Sequence, residues 1–391
     1  MATVKNIPTP CYVMDESLLR RNLALIKQAS ACSGVEIILA FKAFALWKSF
    51  PVFKEYGFGS TASSVNEARL AFEEMGSLAH SYSPAYTDEN FPVFIAYSSH
   101  ITFNSLSQFH RFYPWIKASD KTISCGLRIN PEYSVVETDL YNPCAPGSRM
   151  GITANSFSKT LPNGVEGLHF HTLCESNSYD LEKTLAVVEK RFGFLLKQVK
   201  WLNMGGGHLM THKDYDTDHL ISLLKSFQSN YPNLKIILEP GSAFVWQTGY
   251  LLTTVVDVVD NNGIKTAIID ASFSCHTPDC LEMPYKPDIR GAEDAGPAIM
   301  KSNDHTENDG KYRYRIGGCS CLSGDFMGDW FFEKPLETGD QIIFEDMIHY
   351  TTVKTTMFNG IPHPSIALLR ETGDLELYRT FTYEDYKNRM D

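Results

Sequence analysis

The sequence predicts an α/β chain: a parallel (β/α)8 barrel over residues 15–245, then an antiparallel β domain over 246–391 that the segment 1–14 joins. Three observations predict it. From Asp15 to about residue 245, amphipathic segments alternate with short apolar runs that end in Gly, Pro or polar residues. After residue 245 the texture changes to β-branched, alternating runs separated by turn residues. A length of 391 residues with 43% hydrophobic content exceeds an ordinary single domain and supplies core for two packed units.

In chain order, residues 17–32 carry Leu18, Leu19, Leu23 and Ile26 at helical spacing, stop at Gly34, and lead into a strand over 35–40. Lys42 then lies just past a strand's carboxyl end. A helix follows around 66–75, strands at 125–129 and 165–171, and a helix at 179–192. Two more strands end in loops of special composition: 200–204 runs into Gly205-Gly206-Gly207, and 234–238 into Glu239-Pro240-Gly241. In a parallel barrel the strand carboxyl ends gather on one face, where barrel enzymes place their chemistry. Beyond 245, residues 250–259, the turn Asn261-Asn262-Gly263 and residues 265–269 read as a hairpin. Runs at 312–316, 341–345 and 351–358 extend the β pattern.

Acidic residues outnumber basic ones, 46 to 35, for a net charge of −11. That disfavours a nucleic-acid partner and suits small cationic ligands. Residues 1–10 lack the apolar core of an export signal, and no stretch approaches the roughly 18 apolar residues of a membrane span. A cytoplasmic location and no membrane partner are expected. Nine cysteines without paired C-x-x-C spacing read as reduced intracellular thiols.

Several residues on the predicted barrel face could carry chemistry. Lys42 sits between Phe41 and Ala43, apolar groups that disfavour its ammonium form and favour the neutral amine that an imine requires. Taken alone, a lysine after a strand is far more often a solvated end-cap. The triple glycine, and Pro240-Gly241-Ser242, let backbone N–H groups converge on an anion, or form ordinary turns. Glu239 at a strand end could pair with a protonated ring nitrogen, or make a surface salt bridge. His169 and His171, two apart in the expected strand, share a face. They fit a metal-dependent hydrolase, with His208 and His212 loosely available, or two packed histidines. In the β domain, Gly318-Cys319-Ser320-Cys321-Leu322-Ser323-Gly324-Asp325 surrounds two thiols with small residues; a thiol there returns a proton to a carbanion or is simply structural.

These segments, in this order, resemble the fold-type III pyridoxal-phosphate decarboxylases, the ornithine and diaminopimelate decarboxylase group, over nearly the whole chain. The motifs are Ala40 to Phe44, Phe170-His171, the triple glycine, Glu239-Pro240-Gly241, Gly318 to Asp325, and Tyr350 with Phe358-Asn359-Gly360. The resemblance implies a TIM-like barrel of the alanine racemase kind, with pyridoxal 5'-phosphate held as an imine on Lys42, His171 stacked on its ring and Glu239 at its ring nitrogen. It implies further cofactor contacts from Arg128, Gly206, Gly207, Gly241, Ser242 and Tyr350, with Cys174 standing where relatives have serine. It implies a homodimer with a shared active site, Cys321 supplied by the second subunit as proton donor, and Arg149 paired across the interface with Asp325.

Ser242 replaces the arginine of ornithine and diaminopimelate decarboxylases, and Leu322 replaces their usual aspartate. The sequences 239–243 and 276–285 resemble instead the branch acting on carboxynorspermidine and carboxyspermidine in polyamine biosynthesis. That branch makes a cationic carboxylated polyamine the substrate, with His276, Asp279, Glu282 and Asp325 as substrate-binding residues. A diaminopimelate or other basic amino-acid decarboxylase is the alternative. A racemase on this scaffold places arginine where this chain has Glu239.

Overall fold

The structure, a computed structural model, describes residues 7–298 and 310–391. The chain divides into two compact units: the described residues of Met1–Arg20 with Val245–Asp391, and Arg21–Phe244. Among the described residues no helix is long and apolar enough to cross a membrane.

The chain opens with β1 (Cys11–Asp15) and α1 (Glu16–Ser33). The Asp15 carboxylate accepts the N–H groups of Ser17 and Leu18 at 2.8 and 3.1 Å, which starts the helix. Gly34, at φ +76°, ends it. The barrel unit then runs β2 (Glu36–Ile37), β3 (Leu39–Ala40), α2 (Phe50–Tyr56), β4 (Ser60–Ala62), α3 (Val65–Leu70), β5 (Ala79–Tyr82), α4 (Phe91–Tyr97), β6 (Ser98–Phe103), α5 (Leu106–Ala118), β7 (Ser124–Asn130), β8 (Ile152–Thr153), β9 (Val165–His169), α6 (Ser178–Leu196), β10 (Trp201–Asn203), α7 (Thr217–Asn230) and β11 (Lys235–Leu238). Side chains of Ser64, Ser105, Asn177 and Asp216 cap α3, α5, α6 and α7.

The sheet order is β2-β11-β10-β9-β7-β6-β5-β4-β3, all parallel, with β8 beside β7. β2 and β3 belong to one stretch of chain, so the two ends of the sheet meet and the barrel closes. The expected strand over 35–40 is therefore broken at Ile38. Its N–H donates to Leu238 on one side at 2.9 Å, and the next N–H, Leu39, donates to Gly59 on the other at 3.0 Å.

The amino ends of the staves are plugged by an indole. Trp201 packs with Ile38 and Ile237, and its Nε1–H donates to Ser124 Oγ at 2.8 Å. A Cβ on Gly126 or Gly167 would lie 2.3 or 1.9 Å from that ring, so only glycine fits at either position. Barrel enzymes place their chemistry at the opposite, carboxyl end.

α8 (Ser242–Val245) leads into the second unit. It comprises β12 (Gly249–Asn261), β13 (Ile264–Ile269), α9 (Phe273–His276), α10 (Pro278–Glu282), β14 (Ala292–Asp294), β15 (Tyr312–Gly317), β16 (Phe326–Phe332), β17 (Gln341–Glu345), β18 (Ser365–Leu369), β19 (Leu375–Arg379) and α11 (Tyr383–Met390). The sheet order is β14-β16-β15-β13-β12-β1-β18-β19, with β17 on β12. β12 and β13 form the expected hairpin, with Asn262 and Gly263 both at positive φ, as a tight turn of matching twist requires. The sheet is mostly antiparallel; β13–β15 and β1–β18 are parallel.

The strand expected over 351–358 is absent. Tyr350, at φ +47°, turns the chain into a 3-10 turn over Thr351–Val353. Thr352 Oγ1 bonds back to Ile348 O at 2.8 Å, and the Thr356 N–H goes to Cys275 O at 2.8 Å instead of a ladder. Side-chain hydroxyls that bond locally compete with strand pairing, and here they win.

Candidate active site

The carboxyl ends of β3, β9, β10 and β11, with Arg128 from β7, bring one set of side chains to a cavity of about 600 Å³. Lys42, Tyr82, Arg128, His169, His171 and Glu239 line it. Lys42 rides on a tight turn in which Ala43 N–H bonds to Ala40 O, and Phe41, Ala43 and Phe44 are fully buried. The loop after β11 is stitched to this turn. Ala40 N–H donates to Pro240 O at 3.0 Å, and a Cβ on Gly241 would come within 2.4 Å of Ala43 Cβ.

The protonation of Lys42 follows from its neighbour. Gly206 N–H donates to His171 Nδ1 at 2.8 Å, which makes Nδ1 an acceptor and leaves the ring proton on Nε2. Nε2 lies 3.0 Å from Lys42 Nζ. With His171 Nε2–H the donor, Lys42 must offer a lone pair and is the free amine. Burial drives Lys42 below its ordinary value, and Arg128 adds to this while Glu239 opposes it. Burial, with the Arg128 charge nearby, likewise keeps His171 neutral.

Glu239 is held by two donors, His169 Nε2 at 3.0 Å from Oε1 and Asn203 Nδ2 at 2.9 Å from Oε2. Burial alone would raise its carboxyl, but the hydrogen bonds from His169 and the Asn203 amide hold it below the usual carboxylate range. Burial holds His169 in its neutral form, so its Nε2–H is the donor. β9 ends at His169, so strand alternation stops there and His171 belongs to the following loop; the two histidines serve Glu239 and Lys42 separately. Among the described residues no group of three or more His, Cys, Asp or Glu side chains gathers where a metal ion could be held.

Arg128, 4% exposed, donates to His171 O at 3.1 Å and lies 4.6 Å from the Tyr82 ring centre. The glycine run is pinned by Asn203 Oδ1, which accepts Gly205 N–H at 2.9 Å. Gly205 and Gly207 have φ of +74° and +86°, and a Cβ on Gly207 would meet Leu173 O at 2.2 Å. Only glycine can make this loop. Cys174 abuts it through its backbone N, and Ser242 begins α8. Arg149 lines the outer cavity on a loop that Asn104 anchors through Arg149 O (2.8 Å) and Gly151 N–H (2.7 Å).

Asn203, Tyr82 and Glu67 escaped sequence reasoning. Glu67 feels Lys42; burial raises its carboxyl, while the Ser63 N–H and Lys42 oppose this. Ser64 caps α3 by accepting Glu67 N–H, and Glu67 reaches back to Ser63 N–H at 2.6 Å. That is a Ser-x-x-Glu capping signal readable in the sequence. Asn203 carried no signal beyond preceding the glycines.

The second unit holds the other expected residues. Asp325, 5% exposed, organises its loop: Oδ2 accepts Ser320 Oγ–H at 2.6 Å and Oδ1 accepts Ser274 N–H at 3.0 Å. Cys321 is exposed, its N–H held by Asn359 Oδ1 at 2.9 Å. Asp279 and Glu282 share the Lys354 ammonium, at 2.6 Å for Asp279. His276 is fully buried, with Nδ1 accepting Ser272 N–H at 3.1 Å. Tyr350 lies beneath Lys354, with Nζ 5.8 Å from its ring centre.

Known proteins are similar over nearly the whole chain. The chain is 49% identical to the carboxyaminopropylagmatine decarboxylase of Synechocystis sp., over 99% of this chain and 96% of that one. It is 42% identical to the carboxynorspermidine/carboxyspermidine decarboxylase of Campylobacter jejuni, over 98% and 99%. The crystal structure of carboxynorspermidine decarboxylase from Campylobacter jejuni, complexed with norspermidine, superimposes with a TM-score of 0.90 at 40% identity, covering 98% of this chain and 100% of that one. Residues 11–348 match the family model described as pyridoxal-dependent decarboxylase, C-terminal sheet domain, and the chain belongs to the pyridoxal-dependent decarboxylases.

Proposed function

We propose that this decarboxylase acts on a polyamine carrying an α-amino acid head, with carboxynorspermidine and carboxyspermidine as substrates and norspermidine and spermidine as products. The observation that carries the proposal is full-length identity of 49% and 42% to decarboxylases whose names all specify a carboxylated polyamine. The higher of these favours a second reading, a substrate whose far end is the guanidinium of agmatine. The net charge of −11 accords with either cation.

The barrel residues fit pyridoxal phosphate. Lys42 presents an uncharged amine, the form able to bond a carbonyl carbon. Glu239 stays ionised, and a carboxylate with about four lone-pair sites and two donors can accept one more hydrogen bond, from a ring nitrogen that it keeps protonated. His171 would offer a flat face, Arg128 a nearby positive charge, and Gly206, Gly207, Gly241, Ser242 and Cys174 would hold the phosphate. When bound, the cofactor supplies an electron sink for the pair left at Cα as carbon dioxide departs.

Two copies pair in this proposal, the partner's Cys321 returning a proton to Cα and the partner's Asp325 meeting Arg149. The exposure of Cys321 supports it. Asp279 and Glu282 hold the distal cation, sharing their charge with Lys354 or releasing it.

The test supplies carboxynorspermidine, carboxyspermidine, carboxyaminopropylagmatine, diaminopimelate and ornithine separately, and identifies the amine released. A triamine is expected. Aminopropylagmatine formed at the highest kcat/KM establishes the second reading, and lysine or putrescine as the preferred product refutes both.

A further inference from the structure

His208, directly after the glycine run, is 1% exposed, and its ring nitrogens have no close hydrogen-bond partner among the described residues, only the weaker pull of the Gly205 main chain. A buried imidazole whose donor and acceptor are so poorly met demands a reason. Its backbone is fixed on two sides. It bridges to Ser176 in parallel, with Ser176 N–H donating to Gly207 O at 2.7 Å and Leu209 N–H to Ser176 O at 3.2 Å. The main chain of His208 is thus held between the glycine loop and the loop of Cys174. The groups that act on it are the main chain of Gly205 and the Glu239 carboxylate, and it acts in turn on His171.

The other groups assigned to phosphate are neutral: backbone N–H groups, the Ser242 hydroxyl and the weak Cys174 donor. Arg128 is engaged with His171 O and the Tyr82 ring. A dianion seated at the glycines therefore has no cation assigned beside it except the one His208 can become. Burial lowers the ring to about 4 before any anion arrives, so it is neutral at pH 7 and must gain about a thousandfold in basicity. A dianion close by in a low-dielectric setting supplies an effect of that order.

We propose that His208 positions the cofactor phosphate, its ring taking up a proton when the phosphate occupies the adjacent glycine run. The proposal rests on the placing of phosphate at Gly206 and Gly207 given above. The test uses full-length protein labelled with ¹⁵N-histidine and ¹⁵N-glycine, with and without pyridoxal phosphate or phosphate-free pyridoxal, the His208 signals assigned by their loss in His208→Leu. With pyridoxal phosphate the His208 ring nitrogens move to imidazolium shifts; with pyridoxal they do not. In parallel, His208→Leu weakens pyridoxal phosphate about tenfold to a hundredfold, a loss that must exceed any for pyridoxal, and His208→Gln, which keeps a donor, recovers part of it. If the Leu variant does not fold, the Gln variant and the labelled wild type carry the test alone. A ring that stays neutral while the glycine amides shift overturns the role of His208. Glycine amides indifferent to the phosphate overturn its placing as well.

Discussion

Glu239→Gln removes one charge from the site and very little else. Glutamine keeps the shape, and its amide oxygen can still accept the Asn203 N–H now bonded to Oε2. Its NH₂ then faces His169 Nε2, a donor-to-donor conflict unless His169 moves its proton to Nδ1. Nδ1 has no hydrogen-bond partner among the described residues, so the tautomer can change without breaking another bond. Folding should therefore change by no more than about 1 kcal/mol. The chemical loss is larger. A charge-assisted hydrogen bond to the cofactor nitrogen becomes a neutral one, and the roughly 1.5–3 kcal/mol that such bonds contribute converts to about a tenfold to hundredfold fall in kcat. The assay is carbon dioxide release at saturating cofactor and substrate, with thermal unfolding as the check on the fold. An undiminished kcat in a folded, cofactor-loaded variant refutes the assignment of Glu239.

Other expectations follow from the same geometry. Lys42→Ala abolishes covalent attachment of pyridoxal phosphate on borohydride reduction; a labelled peptide elsewhere would show the wrong lysine was chosen. Because the folded-state basicity of Lys42 lies below the usual lysine value, the cofactor incorporation rate of the apoprotein rises as pH passes that lowered value and levels off below pH 10.5. A rate still climbing near 10.5 contradicts a free amine at Lys42. Gly167→Ala drives a methyl into Trp201 and costs about 1–3 kcal/mol, lowering the melting temperature by roughly 2–12 °C; an unchanged melting temperature would mean the indole has room to move. Mixing Lys42→Ala with Cys321→Ala subunits regains about a quarter of wild-type activity if sites are shared between copies, because random pairing leaves one intact site in half the dimers. No regain means each copy is self-contained.

How much of this was legible depends on the range over which each feature is decided. The hairpin of β12 and β13 announced itself because Asn261-Asn262-Gly263 settles a local turn. Lys42, Glu239 and the glycine run were found because strand ends and glycines are local signals whose gathering on one barrel face follows from topology. The break at Ile38 was hidden, since it arises from barrel closure, where one stave must pair with both edges. The missing strand at 351–358 failed for the opposite reason: β-branched threonines match a strand by composition, yet Thr352 spends its hydroxyl on the backbone four residues earlier.

The substrate end shows the same division more sharply, because an acidic residue's type is visible while its partner is not. Asp279 and Glu282 read as seats for an external ammonium, but Lys354, more than 70 residues away in sequence, already sits between them. A distal substrate cation must share that pair or displace Lys354. Either way Glu282→Gln, which removes attraction felt equally in bound substrate and transition state, raises KM more than it lowers kcat. Lys354→Met, with the internal competitor gone, should lower KM for a cationic substrate. If it raises KM instead, the lysine is orienting the carboxylates, and if both variants leave KM unchanged, the distal cation binds elsewhere.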